Sequence, residues 1–310
     1  MMRVGFVGLG TMGAGMAANI RAQGFEITVH DLDPSTAVGL LDQGASWAES
    51  PRSTAQASDV VFTSLPTPSA VASVVLGEDG VLVGADPGTV IFDTSTNSRE
   101  VVLRLSESCA HAGCSFLDAP VSGGPAGAVS GRLAMWVGGD EAVFEAHCGL
   151  LGAFADQLRY LGPVGHATVA KLVHNASGYM IQTALAEAFT MGVKAGVDPL
   201  TLWSALRQGS LGRVRTFDRL ARQFLPGTYE PPSFALTLAH KDMSLATELG
   251  REVRVPMRLA DAAHAEMTEA LNRGWGARDS RVSMVLQQER AGVDIAVDPE
   301  ALRQVLEDEA

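Results

Sequence analysis

Cysteine is scarce in this chain. Cys109, Cys114 and Cys148 are the only three in 310 residues, and they form no CxxC pair. An odd count at wide spacing excludes a disulfide framework and fits reduced thiols in a cytoplasmic protein. The seven histidines are scattered without ligand spacing, so no metal site is expected. Positive charge is also short: 23 Lys and Arg stand against 35 Asp and Glu, a formal net charge of −12. Such a surface repels phosphate backbones and anionic membranes, which argues against nucleic acid or membrane as partners. Long apolar runs are absent, none approaching the roughly 18 residues of a membrane span. The opening MMRVGFVGLGTMGAGMAANI is apolar and small, but glycines break it, and it reads as strand–turn–helix rather than as a signal peptide. There is no internal repeat and no low-complexity tract.

What is present divides the chain in two. Short apolar runs alternate with helical patterns through the first half. RVGFVG (3–8), EITVHD (26–31), DVVFTSL (59–65) and VIFDTS (90–95) read as strands, with helix-length segments at 12–23, 35–43 and 99–112. SFLDAPV (115–121), LAMWVGG (133–139) and LRYLG (158–162) are candidates to extend the same sheet. This alternation predicts a mainly parallel sheet covered on both faces. After LGPVG (161–165) helical periodicity takes over: one long helix at about 166–195, a helix in 197–209 with Asp198 as N-cap and Pro199 at its first position, then helices at 234–251, 256–273 and 279–291. The expected fold is an α/β Rossmann-type domain (1–165) followed by an all-α domain (166–310).

The loop Gly8-Leu9-Gly10-Thr11-Met12-Gly13 follows a predicted strand and opens a predicted helix, the context that gives GxGxxG its meaning. Gly8 permits the tight turn, Gly10 lets the backbone approach a pyrophosphate, and Gly13 lets helix and strand pack closely. Asp31 ends the next strand, 18 residues beyond Gly13, where an acid binds the adenosine ribose hydroxyls and repels a 2′-phosphate. Leu32 supplies no cation for such a phosphate, so the pattern predicts NAD rather than NADP. The competing reading makes Asp31 a turn cap with Asp33 and Pro34.

A second glycine-rich stretch, DAPVSGGPAGAVSGRL (118–133), has too many glycines for a helix or a central strand. Ser122, Gly123 and Gly124 could turn several N–H groups toward one anion, or the stretch could be a plain loop over a sheet edge. Further on, VAKLVHNASG (169–178) places Lys171, His174 and Asn175 in an otherwise apolar helix. At 100° per residue, with Lys171 at zero, Asn175 falls at about +40°, His174 at about −60°, Thr168 at about +60°, Gly178 at about −20° and Gln182 at about +20°. That is one narrow polar seam, which reads either as the wall of a polar cleft or as a helix edge from which Lys171 snorkels to water.

The glycine loop, DAPVSGG with its following GAxxGxL, and the lysine helix occur in this order in the β-hydroxyacid dehydrogenases, which the chain resembles from about residue 3 to about 290. That family includes 3-hydroxyisobutyrate dehydrogenase, tartronate semialdehyde reductase and 6-phosphogluconate dehydrogenase. The resemblance implies that Ser122, Gly123 and Gly124 hold a substrate carboxylate, that Asn175 orients the substrate, and that Lys171 is the general acid/base. It also implies cofactor contacts from Leu65 and Pro66 in SLPTP and from Thr96 in DTSTN. The pattern FxLxLxxKD matches at Phe234, Leu236, Leu238, Lys241 and Asp242, which implies a Lys241 contact near the nicotinamide and a substrate pocket lined by Phe234. A homodimer or homotetramer built through the helical domain is implied as well. The chain departs from the family at Ala167, where a glycine is usual, and at His174, where an asparagine is usual. His174 is then either a satisfied structural histidine or a substrate contact.

The chemistry asks for such a lysine. Oxidising an alcohol needs a base for the hydroxyl proton, and a free lysine at about 10.4 is too weakly deprotonated at neutral pH. Partial burial lowers that value. Arg213 and Arg215 in GSLGRVRTF are candidates to read a second anionic group on the substrate, unless they face solvent or pair with Asp218. The expected function is hydride transfer between nicotinamide and a small 3-hydroxy acid. A reductase of an acidic semialdehyde uses the same residues in reverse. A non-catalytic NAD sensor is the alternative of another class, but a sensor has no use for a proton carrier.

Overall fold

The computed structural model describes residues 2–213, 216, 220–252, 254–292 and 294–308. For some helical residues, including Gly178, Gln182, Leu238, Lys241 and Asp242, it describes the backbone only. The chain divides into two compact units, Met1–Ser177 and Gly178–Ala310.

The first unit runs β1 (Arg3–Val7), α1 (Gly13–Ala22), β2 (Glu26–His30), α2 (Val38–Leu41), β3 (Ser46–Trp47), α3 (Pro51–Gln56), β4 (Val60–Thr63), α4 (Pro68–Leu76), α5 (Val81–Gly84), β5 (Val90–Asp93), α6 (Arg99–His111), β6 (Ser115–Asp118), β7 (Val121–Ser122), α7 (Gly124–Ser130), β8 (Leu133–Val137), α8 (Glu141–Leu151) and β9 (Ala155–Tyr160). Six strands make a parallel sheet in the order β3-β2-β1-β4-β5-β6. This is the Rossmann-type arrangement. Its strand order reverses between β1 and β4, and the crevice beyond the strand ends at that point is where such sheets take ligands.

Period-2 alternation explains why these strands read as continuous apolar runs. Phe6, Phe62 and Phe92 point to one face, with ring centroids 5.8 and 5.4 Å apart. Val7, Val61 and Ile91 point to the other. Each aromatic pair adds about 0.5–1.5 kcal/mol beyond its buried area. Helices cap themselves by sequence: Ser50, Thr67, Ser98 and Asp140 accept from the first turns of α3, α4, α6 and α8.

Two expectations are corrected. LAMWVGG and LRYLG do not extend the main sheet; they form β8 and β9 of a separate three-stranded sheet, β7-β8-β9. Its edge is set by antiparallel pairing of Val121 and Ser122 with Met135 and Ala134. The stretch 118–133 is neither loop nor too glycine-rich for a helix, since Gly124–Ser130 is α7. Packing overrides propensity here. A Cβ on Gly127 would come within 2.9 Å of Leu133, and one on Gly15 within 3.0 Å of the Ala128 backbone, so small residues let α7 lie against α1. Asn19 fastens the contact by donating to the Ala128 carbonyl at 2.7 Å.

Helix α9 (His166–Lys194) begins in the first unit and ends in the second. The second unit contains α10 (Pro199–Gln208), α11 (Leu236–Glu252), α12 (Arg258–Asn272), α13 (Val285–Ala291) and α14 (Pro299–Asp308). Asp198 caps α10 through the Thr201 N–H at 2.9 Å, and the Glu187 carboxylate caps α12 through the Leu259 and Ala260 N–H groups. The expected helix at 279–291 is a 3₁₀ turn (Ser280–Met284) leading into α13, because Asp279 caps the short turn at Arg281.

Candidate active site

The cofactor side of the site grows from the end of β1. Gly8 takes φ of 98°, which a residue with Cβ rarely adopts, and a Cβ there would stand 2.3 Å from the Ser64 carbonyl. Gly8 therefore lets the loops after β1 and β4 lie side by side. A Cβ on Gly13 would meet the Gly8 carbonyl oxygen at 1.9 Å, whereas one on Gly10 would meet nothing within 4 Å. The two glycines thus do different work: Gly13 closes the loop onto the helix, and Gly10 leaves open space over it. Helix α1 begins there with no side-chain cap and no acid in its first turn. Ala14 N–H in its first turn donates to the Gly10 carbonyl at 3.3 Å, and the absence of a side-chain cap leaves the helix start suited to an anion.

These residues line one cleft of about 810 Å³. Gly8, Gly10, Thr11, Met12, Gly13, Asp31, Leu65 and Pro66 all reach it. His30, Glu78 and Asp79, which no motif marks, line it as well. Leu9 does not line it; its side chain is buried in the core and its N–H donates to Asp31 Oδ2 at 2.6 Å. Asp31 Oδ1 accepts from Asp33 N–H at 3.0 Å, so the turn-capping geometry is present together with cleft exposure. Thr96 is exposed at the tip of the loop after β5. Buried Asp93 organises that loop, accepting from Thr63 Oγ1, Ser95 N–H and Asn97 Nδ2 at 2.8, 3.1 and 2.8 Å. Ser95 Oγ then accepts from Leu65 N–H at 2.9 Å, tying the two loops together. Burial pushes the Asp93 carboxyl above its ordinary range.

Of the residues expected to meet substrate, Ser122, Gly123, Gly124, Lys171, His174 and Asn175 lie in the same unit. Ser122 ends β7, and Gly123 and Gly124 follow at φ of 137° and 64°. On α9, Ala167, Thr168 and Lys171 are buried, while Val169, Leu172 and Val173 are exposed. The polar seam thus faces inward and the apolar residues outward, the reverse of an ordinary surface helix. Lys171 is only 8% exposed, its amine makes no hydrogen bond among the described residues, and burial pushes its pKa below the ordinary 10.5. Asn175 and His174 are half-buried, with Asn175 Oδ1 3.2 Å from His174 Nδ1. The His174 ring leans on Trp136 of β8, centroids 5.4 Å apart. For Gly178 and Gln182 of the predicted seam only the backbone is described.

The sequence reading missed the carboxylate that joins these parts. Asp118 closes β6 at 1% exposure and reaches the start of α9. Its Oδ1 accepts from Gly165 N–H at 2.8 Å, and its Oδ2 from Thr168 N–H and Thr168 Oγ1, both at 2.7 Å. In the second unit, Phe234 is 43% exposed, and its backbone is fixed by Asp279, which accepts from the Ser233 and Phe234 N–H groups. Arg213 is exposed. Arg215, Asp218 and the Lys241 side chain lie outside the described residues.

Comparison with known proteins agrees with this fold. Residues 3–162 match the model of the NAD binding domain of 6-phosphogluconate dehydrogenase, and residues 165–288 match that of the NAD-binding region of NADP-dependent 3-hydroxyisobutyrate dehydrogenase. The chain belongs to the β-hydroxyacid dehydrogenase family. It is 34% identical to 2-(hydroxymethyl)glutarate dehydrogenase of Eubacterium barkeri, over 95% of this chain and 98% of that one. It is 32% identical to mitochondrial 3-hydroxyisobutyrate dehydrogenase of Rattus norvegicus, over 92% and 87%. Among solved structures, Mycobacterium tuberculosis 3-hydroxyisobutyrate dehydrogenase with L-serine aligns at a TM-score of 0.64 and 28% identity, over 92% and 99%. The chain is therefore an NAD(P)-dependent dehydrogenase, and the sensor alternative falls. No described helix is long and apolar enough to cross a membrane.

Proposed function

We propose that this enzyme transfers hydride between NAD and the C3 hydroxyl of a 3-hydroxypropanoate substituted at C2, with Lys171 as general acid/base. The observation that carries the reading is Lys171 itself: a residue only 8% exposed, whose amine has no hydrogen-bond partner among the described residues and is lowered in pKa by burial. The substrates named for the relatives, 3-hydroxyisobutyrate and 2-(hydroxymethyl)glutarate, and the L-serine in the solved structure share HOCH2–CH(R)–COO⁻ and differ only in R. That common frame supports the class. The identity of R is the open variable, and His174 beside Trp136 and the exposed Arg213 are the candidates to read it.

In this reading the Ser122 hydroxyl and the N–H groups of Gly123 and Gly124 receive the carboxylate, the Ser122 N–H being paired with Ala134 between β7 and β8, and the Asn175 amide aims the hydroxyl. Lys171 Nζ takes the hydroxyl proton in oxidation and returns it to the developing alkoxide in reduction. The nicotinamide, when bound, supplies the hydride acceptor. Gly8, Gly10, Thr11, Met12 and Gly13 with the uncapped start of α1 are suited to hold the pyrophosphate, and Leu65, Pro66 and Thr96 to flank the cofactor. Lys241 is proposed at its nicotinamide end, with Phe234 in the substrate pocket. NAD is favoured over NADP because Asp31, Glu78 and Asp79 line the cleft and no lysine or arginine does among its described residues. A 2′-phosphate would meet repulsion with no fork to receive it. Exposed Val169, Leu172 and Val173 on α9, at 41, 42 and 56%, support a homo-oligomer.

The deciding experiment follows absorbance of reduced nicotinamide with NAD and a panel of 3-hydroxyisobutyrate, L-serine, 2-(hydroxymethyl)glutarate, glycerate and a sulfonated analogue. Turnover that Lys171→Ala abolishes supports the reading and ranks R. No turnover on any member, or full activity in Lys171→Ala, overturns it.

A further inference from the structure

Asp118 stands at a junction that the proposed chemistry does not explain. It belongs to the same short segment as Ser122, yet its carboxylate is spent on a helix 47 and 50 residues further along the chain. Three donors converge on it, and all three come from the first turn of α9 or the residue before it. The backbone of Asp118 is equally fixed. Its N–H donates to the Gly138 carbonyl at 3.1 Å, Gly138 N–H donates back at 2.8 Å, and the residue is in register with Asp93 of β5. Gly138 admits the carboxylate, since a Cβ there would lie 2.5 Å from Asp118 Oδ1 and 3.3 Å from Ala167 N.

Two short covalent paths lead from this junction to the proposed reacting groups. Four residues, stiffened by Pro120, lead from Asp118 to Ser122. Three residues of helix, less than one turn, lead from Thr168 to Lys171. A helical side chain leans back toward the N-terminus over the preceding turn, so the turn that Asp118 holds is the one Lys171 lies along. We propose that Asp118 is a positioning residue that sets the Lys171 amine against the Ser122–Gly124 turn by clipping the start of α9 to the end of β6. The proposal rests on the reading of Lys171 as the proton carrier. It adds that the distance between proton carrier and bound carboxylate is fixed by one side chain that touches neither substrate nor cofactor.

Asp118→Asn keeps the shape but sets an amide NH2 against N–H and O–H donors. Thr168→Val removes one of the three bonds, and Thr168→Ser keeps it. Each variant is compared with wild type for kcat and KM on the best substrate of the panel and for NADH Kd and binding stoichiometry by fluorescence. Displacement of a reacting group by about 1 Å costs up to roughly 100-fold in rate. The expected result for Asp118→Asn is therefore a kcat lower by about 10- to 100-fold, with KM and NADH Kd within about threefold. Thr168→Val should lose kcat in the same sense, and Thr168→Ser should restore it. The proposal is overturned if Asp118→Asn keeps kcat within about twofold. It is also overturned if kcat falls only in proportion to a reduced NADH-binding stoichiometry, the mark of a merely structural cap, or if Thr168→Val and Thr168→Ser behave alike. An inactive wild type or an active Lys171→Ala instead sinks the underlying reading, so the two failures are distinguishable.

Discussion

Gly10 and Gly13 offer a test in which two similar substitutions should have opposite consequences. In Gly13→Ala the new methyl would sit 1.9 Å from the Gly8 carbonyl oxygen, against an ordinary contact of 3.4–4 Å. The atom it meets is backbone, so α1 or the loop must give by about 1.5 Å at the least. Overpacking of this kind costs about 1–3 kcal/mol, and here it also displaces the N–H groups proposed to hold the pyrophosphate. Gly10→Ala meets nothing within 4 Å. Gly10 has no left-handed φ among the residues that do, so the exchange leaves the fold intact and could gain about 0.4–1 kcal/mol from a less flexible unfolded chain. Its methyl does enter the space reserved for the pyrophosphate, and a tenfold to hundredfold weaker NADH Kd, about 1.4–2.7 kcal/mol, is expected. Urea unfolding reports the stability of each variant and NADH fluorescence its affinity. Gly13→Ala should lose stability and binding together, Gly10→Ala binding alone. Equal NADH affinity in Gly10→Ala and wild type would refute the cradle, and wild-type unfolding of Gly13→Ala would refute the packing argument.

Asp31→Ala removes a charged acceptor worth about 1.5–3 kcal/mol, so NAD affinity should fall by about 10- to 100-fold while discrimination against NADP narrows; unchanged affinity for both cofactors would return Asp31 to a turn cap. Burial lowers the Lys171 pKa, and the base must be neutral. kcat/KM for oxidation should therefore rise with pH and level off at a midpoint below 10.5, and reduction should fall through the same midpoint. A midpoint at or above 10.5 would contradict this. The linked stability effect has a definite sign: between the lowered folded value and the unfolded one the unfolded chain holds the extra proton, so stability rises with pH across that window. Lys171→Met should accordingly raise Tm at neutral pH while abolishing turnover. His174→Asn removes both the ring on Trp136 and the contact to Asn175, and it should shift KM by about 3- to 10-fold and reorder the preference for R; an unaltered preference would make His174 purely structural.

The sheet was legible because its signal is local. Phe6 and Val7, Val61 and Phe62, Ile91 and Phe92 alternate faces within single short runs. Asp31 and the three loop glycines are spaced by one βαβ unit. The polar seam of α9 was legible for the same reason, since Thr168, Lys171 and Asn175 are one helical turn apart. What escaped depended on long separations. DAPVSGG displays Asp118 in plain view, but nothing local says that its partners are Gly165 and Thr168. The second sheet escaped because β7 is two residues long and exists only through its pairing with β8. Helix α7 escaped because Gly127 is unfavourable by propensity although Leu133 requires it, and because its seat on α1 depends on Gly15, which is distant in sequence.

These findings bear on how a protein of net charge −12 could handle two anions, a pyrophosphate and a carboxylate. Cationic side chains are nearly absent from the described parts of the site. The cofactor cleft has none among its described lining residues, and on the substrate side the buried cation-forming group is Lys171, whose burial disfavours the charged form. The proposed anion contacts come instead from uncharged donors, backbone N–H groups at the uncapped start of α1 and at Gly123 and Gly124, with the Ser122 hydroxyl. Such donors carry only partial charge and have no titration of their own, so they can hold an anion without an ammonium or guanidinium whose charge would hold a carboxylate against the base. Long-range repulsion from the acidic surface is screened within about 8–10 Å at physiological salt. A partly desolvated amine placed among backbone donors can then remain neutral and serve as the base, which a lysine set among carboxylates could not do. Placing the clip on Asp118 follows the same logic. The Asp118 carboxylate is occupied by Gly165 N–H, Thr168 N–H and Thr168 Oγ1, so its acceptor capacity is spent at the helix start.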